Sequence, residues 1–151
     1  MNRKGFTLIE LLGVIIILAV IMLIAVPTIN GVVGTIKDNM LAEKKNMIEE
    51  AAILYGQDIR YSIINSSKKY NKNGNATGFS CISKYVYELV PDYLEKDNDN
   101  ECLTESSIVK EGCIVDPRDS ENYLDKEEVI IYYKNKRIHA VLNDKKTSSC
   151  S

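Results

Sequence analysis

From Phe6 to Ile29 the chain reads FTLIELLGVIIILAVIMLIAVPTI, a run of apolar residues with no periodic polar face, and between Leu11 and Val26 it carries no charged or hydrogen-bonding side chain. As a helix this run reaches roughly 36 Å at about 1.5 Å per residue, enough to cross a bilayer core of about 30 Å. A helix apolar on every side can also sit in the core of a large soluble protein, but the polar remainder of this chain is too small to surround one. The pattern predicts a membrane-inserting segment.

After Pro27 the pattern becomes amphipathic. Ile29, Val33, Ile36, Met40, Met47, Ala51, Tyr55, Ile59 and Ile63 recur at helical spacing, with Lys37, Asp38, Glu43, Lys44, Lys45, Glu49, Glu50 and Asp58 on the other face. This predicts a helix continuing to about Ser62, with one face packed on a small domain. A single helix over 6–62 would measure roughly 85 Å. A head of about 90 residues has a radius of gyration of only about 12–13 Å, so half of the helix is expected to stand clear of it. Pro27 removes a backbone donor and crowds the preceding turn, and with Gly13, Gly31 and Gly34 it predicts a kink near Pro27.

Further along, Asn65 to Gly78 reads as a polar connector with a turn at Asn73-Gly74. Ile82 to Leu94 reads as a short helix limited by Pro91, and Glu95 to Glu101 as an acidic loop. Gly112 to Val115 reads as a strand closed by Asp116-Pro117. Glu128 to Lys134 (EVIIYYK) and Arg137 to Asn143 (RIHAVLN) are two β-rich runs joined by Asn135-Lys136, which predicts a hairpin. With the Gly112 strand it makes a small antiparallel sheet, one face of which packs on the amphipathic half of the helix. The fold class is α+β.

Composition hides this division, since 45% apolar and 26% charged residues would pass for an ordinary globular chain. The flanks orient it. Arg3 and Lys4 precede the span on a very short leader, which keeps the N-terminus cytoplasmic and puts the rest outside. The apolar run is too long for a secretory signal peptide and lacks an A-x-A-like site after it. Cys81, Cys102, Cys113 and Cys150 all fall in the outer part, where disulfides persist. Three pairings are open, of which Cys102 with Cys113 and Cys81 with Cys150 is the one expected. Zinc is the competing reading, disfavoured by scattered cysteines and a single histidine.

Candidate chemistry in the head is sparse. No Ser/His/Asp or Cys/His set and no nucleotide-binding loop can be argued, so neither an enzyme nor a bound cofactor or metal is expected. His139 alternates within a strand and reads as structural. Asp97, Asp99, Asn100 and Glu101 offer oxygen ligands for calcium, but Cys102 stands where an EF-hand loop needs glycine, and a solvated acidic loop is the favoured reading. Asn65-Ser66-Ser67 and Asn75-Ala76-Thr77 match glycosylation sequons of a kind that arises by chance. Lys68, Lys69 and Lys72 with Tyr70 form a basic, aromatic patch that leaves nucleic acid an open partner, against a formal net charge of −2.

Glu10 is the exception in the apolar run. A carboxylate inside a span costs up to about 3 kcal/mol and is functional by default, unless it snorkels to the interface.

The stretch KGFTLIELLGVIIILAVIMLIAVPTI, Lys4 to Ile29, closely resembles the N-terminal signature of the type IV prepilin family, which includes pilins and the pseudopilins of type II secretion and competence systems. The likeness joins a basic leader, Gly5 before Phe6, Thr7, Glu10 and Pro27 over about 30 residues. It implies that a prepilin peptidase/methyltransferase cuts between Gly5 and Phe6 and methylates the new amine of Phe6. It implies too that the helix then polymerises with other pilin subunits, on a membrane platform driven by a separate ATPase. Loss of Arg3 and Lys4 with the leader would take the formal charge from −2 to −4.

Glu10 would set assembly register by pairing with the Phe6 amine of a neighbour, since an unpaired charge in a low-dielectric core penalises wrong registers. The resulting division is a cleaved leader at 1–5, a transmembrane and fibre-core helix at 6–29, an amphipathic half at 30–62 and a pilin-like head at 63–151. The expected role is a single-pass membrane precursor that becomes a subunit of a surface filament for adhesion, motility or DNA uptake. Alternatives are a pseudopilin or minor pilin of a secretion or competence system, and a membrane-tethered ligand-binding protein.

Overall fold

Residue alternation in one strand organises the head. In the computed structural model, which describes residues 7–108, 110–143 and 146–151, strand β5 (Glu128–Lys134) turns Val129 and Ile131 to one side of a sheet and Ile130 and Tyr132 to the other. The sheet has five strands in the order β6-β5-β2-β1-β7, with β1 at Lys69–Lys72, β2 at Asn75–Tyr85, β6 at Arg137–Leu142 and β7 at Ser148–Cys150. Every pairing in it is antiparallel. The side chains of residues 24–28 and 30 lie outside the described residues.

The chain divides into two units, 1–39 and 40–151. Helix α1 (Leu8–Asp58) contributes to both, and a short α2 (Arg60–Ile64) follows a break at Ile59. In the first unit the described apolar side chains from Leu8 to Leu23 are exposed on every side of the helix. That described run is roughly 24 Å long. Among the described residues no helix is long and apolar enough to cross a membrane. The helical assignment continues through Pro27, but the kink expected there falls on side chains outside the described residues.

In the second unit α1 lies on the Val129 face of the sheet. Leu41, Ile48, Ala51, Ala52 and Ile63 are buried with Val129, Ile131 and Leu142, and Tyr55 and Ile59 pack against them. Ala51, Tyr55, Ile59 and Ile63 are where the sequence placed them, and the correction falls on the earlier part of the stripe. Met40 and Met47 are half exposed, whereas their neighbours Leu41 and Ile48, about 100° further round the helix, are buried. Three charges placed on the solvent side also reach the head: Lys44 pairs with Asp97, Glu49 Oε1 accepts the Leu142 N–H at 2.9 Å, and Asp58 accepts the Tyr93 hydroxyl at 2.6 Å.

Three further expectations are corrected. The Asn65–Gly78 connector is mostly a hairpin: Asn73 and Gly74 take φ of 51° and 80°, as a two-residue type I′ turn requires, between β1 and β2. Ile82 to Tyr85 is strand rather than helix, because its backbone pairs with Glu128–Ile131 across the ladder; only Val86–Leu89 winds into a 3-10 turn. The Gly112 segment does not join the main sheet. Only Val115–Asp116 (β3) is strand, and it pairs with Asp119–Tyr123 (β4) in a separate ribbon. The reason is local, since the Cys113 and Ile114 N–H groups are taken by the Asp125 carboxylate at 2.9 and 2.8 Å.

The outer face of the sheet carries a second small core of Tyr70, Cys81 and Ile130 with Phe79, Tyr132, Val141 and Cys150. Cys81 is bonded to Cys150 there, and Cys102 to Cys113 beneath the Asp125 loop. The predicted hairpin is present, with Asn135 and Lys136 both in the left-handed region at φ 50° and 64°.

Candidate functional site

Thr7 precedes the first turn of α1, where four backbone N–H groups have no helical partner. Its N–H and its hydroxyl both donate to Glu10 Oε2, each at 2.9 Å, and the Glu10 N–H returns to Thr7 Oγ1 at 3.4 Å. This is a capping box, in which Thr at the cap and Glu three residues on satisfy each other's orphan donors. The T-x-x-E spacing was readable in the sequence, yet the carboxylate was assigned there only to pairing or snorkelling. The box occupies Oε2. Oε1 makes no bond among the described residues, so one oxygen is held by the helix and the other faces outward.

The arrangement does not depend on the leader. Thr7 supplies both donors, and a cut between Gly5 and Phe6 would leave Thr7 as an ordinary amide one residue in from the new amine. Met1 to Phe6, which include Gly5 and Phe6 of the expected cleavage site, lie outside the described residues. Between Leu8 and Leu23 Glu10 is the one charged side chain.

In the head, the structure separates residues that sequence reading had grouped. Tyr70 is buried and stacks on Tyr132 with ring centroids 4.5 Å apart, while Lys69 Nζ donates to Ser80 Oγ at 3.1 Å. The Lys68–Lys72 patch thus has no exposed aromatic ring to offer a base. His139 stacks on Tyr132 at 5.4 Å, as a structural residue would, although its Nε2 finds no hydrogen-bond partner among the described residues. The acidic loop is less solvated than expected, because Asp97 pairs with Lys44 and accepts the Val115 N–H at 2.8 Å.

Cys102, Cys113 and Asp125 place sulfur and oxygen atoms within 4.8 Å of one another, the spacing of a metal site. The chemistry does not fit one. Both sulfurs are spent in a disulfide, and the Asp125 oxygens accept the N–H groups of Leu103 at 2.6 Å, Cys113 and Ile114. Asp125 is a buried loop clasp that the sequence reading missed, as is Asn143, whose amide bonds both the N–H and the C=O of Ser148 and so docks β7. Asp125 has no local sequence signal, since its partners lie 11 to 22 residues away, whereas Asn143 and Ser148 are five residues apart and form a local clasp.

Residues 1–26 match the family model described as the prokaryotic N-terminal methylation motif, the type IV prepilin-like signature. No curated protein and no solved structure matches the chain. The motif marks type IV pilin-like and pseudopilin proteins, a structural family, and implies processing by a prepilin peptidase and assembly with other pilins.

Proposed function

We propose that this chain is the precursor of a type IV pilus subunit, held in the membrane by residues 6–29 until a cut after Gly5 and methylation of Phe6 release it into a surface filament. The observation that supports the reading is the match over residues 1–26 together with a lone carboxylate at Glu10 in the otherwise uncharged run from Phe6 to Ile29. The apolar side chains of α1 then serve two environments, lipid before assembly and neighbouring helices after it. Because the two are similarly apolar, the transfer releases little free energy, and extraction has to be driven by an outside ATPase. The long helix and antiparallel head agree with a pilin-like architecture.

Mass measurement of the N-terminus tests the proposal. A mature chain beginning at methylated Phe6 is expected. An intact Met1 in a cell with an active prepilin peptidase would overturn it and leave a plain membrane tether. Counting copies in purified filaments separates a major subunit from a minor pilin or pseudopilin.

A further inference from the structure

At one end of the main sheet, Gln57, Arg60, Lys136, Arg137 and Ile138 line an open cleft of about 370 Å³. Three of the five are cations, and no carboxylate is among them. The nearest acid along the helix, Asp58, accepts a hydrogen bond from Tyr93 Oη at 2.6 Å instead. Arg60 is held in place without being neutralised: its Nη2 donates to Tyr133 Oη at 3.1 Å and its guanidinium lies 5.3 Å from the Tyr133 ring centre. That uses one of five N–H donors. Lys136 and Arg137 make no ion pair among the described residues.

Lys136 adds a second kind of observation. It occupies the last central position of a type I′ turn at φ 64°, where glycine is the favoured residue. A lysine there runs against backbone preference, and such strain concentrates where a side chain has a task. The geometry points to an anion site: the cleft binds successive phosphate groups of a linear polyanion. Two guanidinium forks match phosphate oxygens in pairs, and the lysine adds a point charge. Nucleic acid and inorganic polyphosphate share that chemistry. The site is distinct from the Lys68–Lys72 patch and independent of the filament reading, which the N-terminal mass of the same sample reports separately.

The test uses the full-length chain in detergent with a fluorescent single-stranded oligodeoxynucleotide, read by anisotropy over a salt series, with inorganic polyphosphate as competitor. Three phosphate contacts give a slope of log K against log salt of about −2, and Lys136→Gln with Arg137→Gln should bring it to about −0.7 with an affinity loss on the order of tenfold. Both residues are exposed, and unchanged circular dichroism and non-reducing mobility will show that the variant folds. Lys68→Gln with Lys72→Gln should leave the slope near the parent value. Absence of binding at low salt, an unchanged slope in the Lys136/Arg137 variant, an equal loss in the Lys68/Lys72 control, or failure of polyphosphate to compete would each overturn the assignment.

Discussion

Glu10 caps the first turn of α1, and single substitutions can separate that cap from the register role proposed for it. Gln can fill the third position of a capping box as Glu does, so Glu10→Gln keeps the bonds to Thr7 and loses only the charge. If pairing with a neighbouring Phe6 amine sets assembly register, Glu10→Gln and Glu10→Ala should both be processed after Gly5 and both fail to enter filaments. Normal filament yield from the Gln variant with a defect only in the Ala variant would assign Glu10 to the cap alone. At Asp116 the prediction concerns pH. The Arg118 guanidinium, at 2.7 Å from Nη2 and 3.1 Å from Nε, holds this buried carboxyl below its ordinary range. A depressed folded-state pKa stabilises above the unfolded value of about 3.9 and is lost as pH falls through the folded one. Asp116→Asn should therefore be less stable than the parent at pH 7, with the difference in denaturation midpoint closing below about pH 4.

At the scale of elements, the helix meets the sheet most closely at Gly56. A Cβ there would lie 2.7 Å from the Cγ2 atoms of both Ile131 and Ile138. Gly56→Ala should cost about 1–3 kcal/mol by overpacking, measured as a lower denaturation midpoint of the full chain; an unchanged midpoint would mean the two methyl groups give way freely. The helix itself, the Glu128–Leu142 hairpin and the turn at Asn73-Gly74 were legible in the sequence because periodicity and turn chemistry are local. The burial of Leu41 and Ile48 in place of Met40 and Met47 was not. Met40 and Leu41 are equally apolar, and only the position of the sheet decides which is covered. Likewise the reading of Ile82 to Leu94 failed because the Ile82–Tyr85 end of β2 pairs with β5, which comes from far along the chain. At the N-terminus the methylation motif was legible at once, whereas the basic cleft was not, because Arg60 and Arg137 become neighbours only when α2 meets the hairpin.

For the molecule as a whole, the two disulfides differ in reach. Cys81–Cys150 closes a span of 69 residues and Cys102–Cys113 one of 11. By loop-closure entropy they contribute about 4 and about 3 kcal/mol respectively. Replacing Cys81 and Cys150 by Ser should therefore lower the denaturation midpoint more than replacing Cys102 and Cys113. The reverse order would show that the Asp125 clasp depends on its disulfide for more than chain entropy. The first bridge joins β7 to β2 on the face away from α1, so reducing it should loosen the edge strand while the helix-facing core persists.

The Cys102–Cys113 bridge brings Cα atoms to 4.5 Å, and Asp125 grips the backbone on both sides of it, with Ile108 almost wholly exposed between. Sequence inside that ring is thereby insulated from sequence outside it. Each doubling of the ring's length costs only about 0.6 kcal/mol, so a foreign peptide grafted between Ser106 and Lys110 should be exported and folded with the parent's non-reducing mobility. On a filament of the kind proposed, this would amount to a changeable label on an unchanging chassis: residues in the ring could change without renegotiating the sheet, the helix or the N-terminal motif.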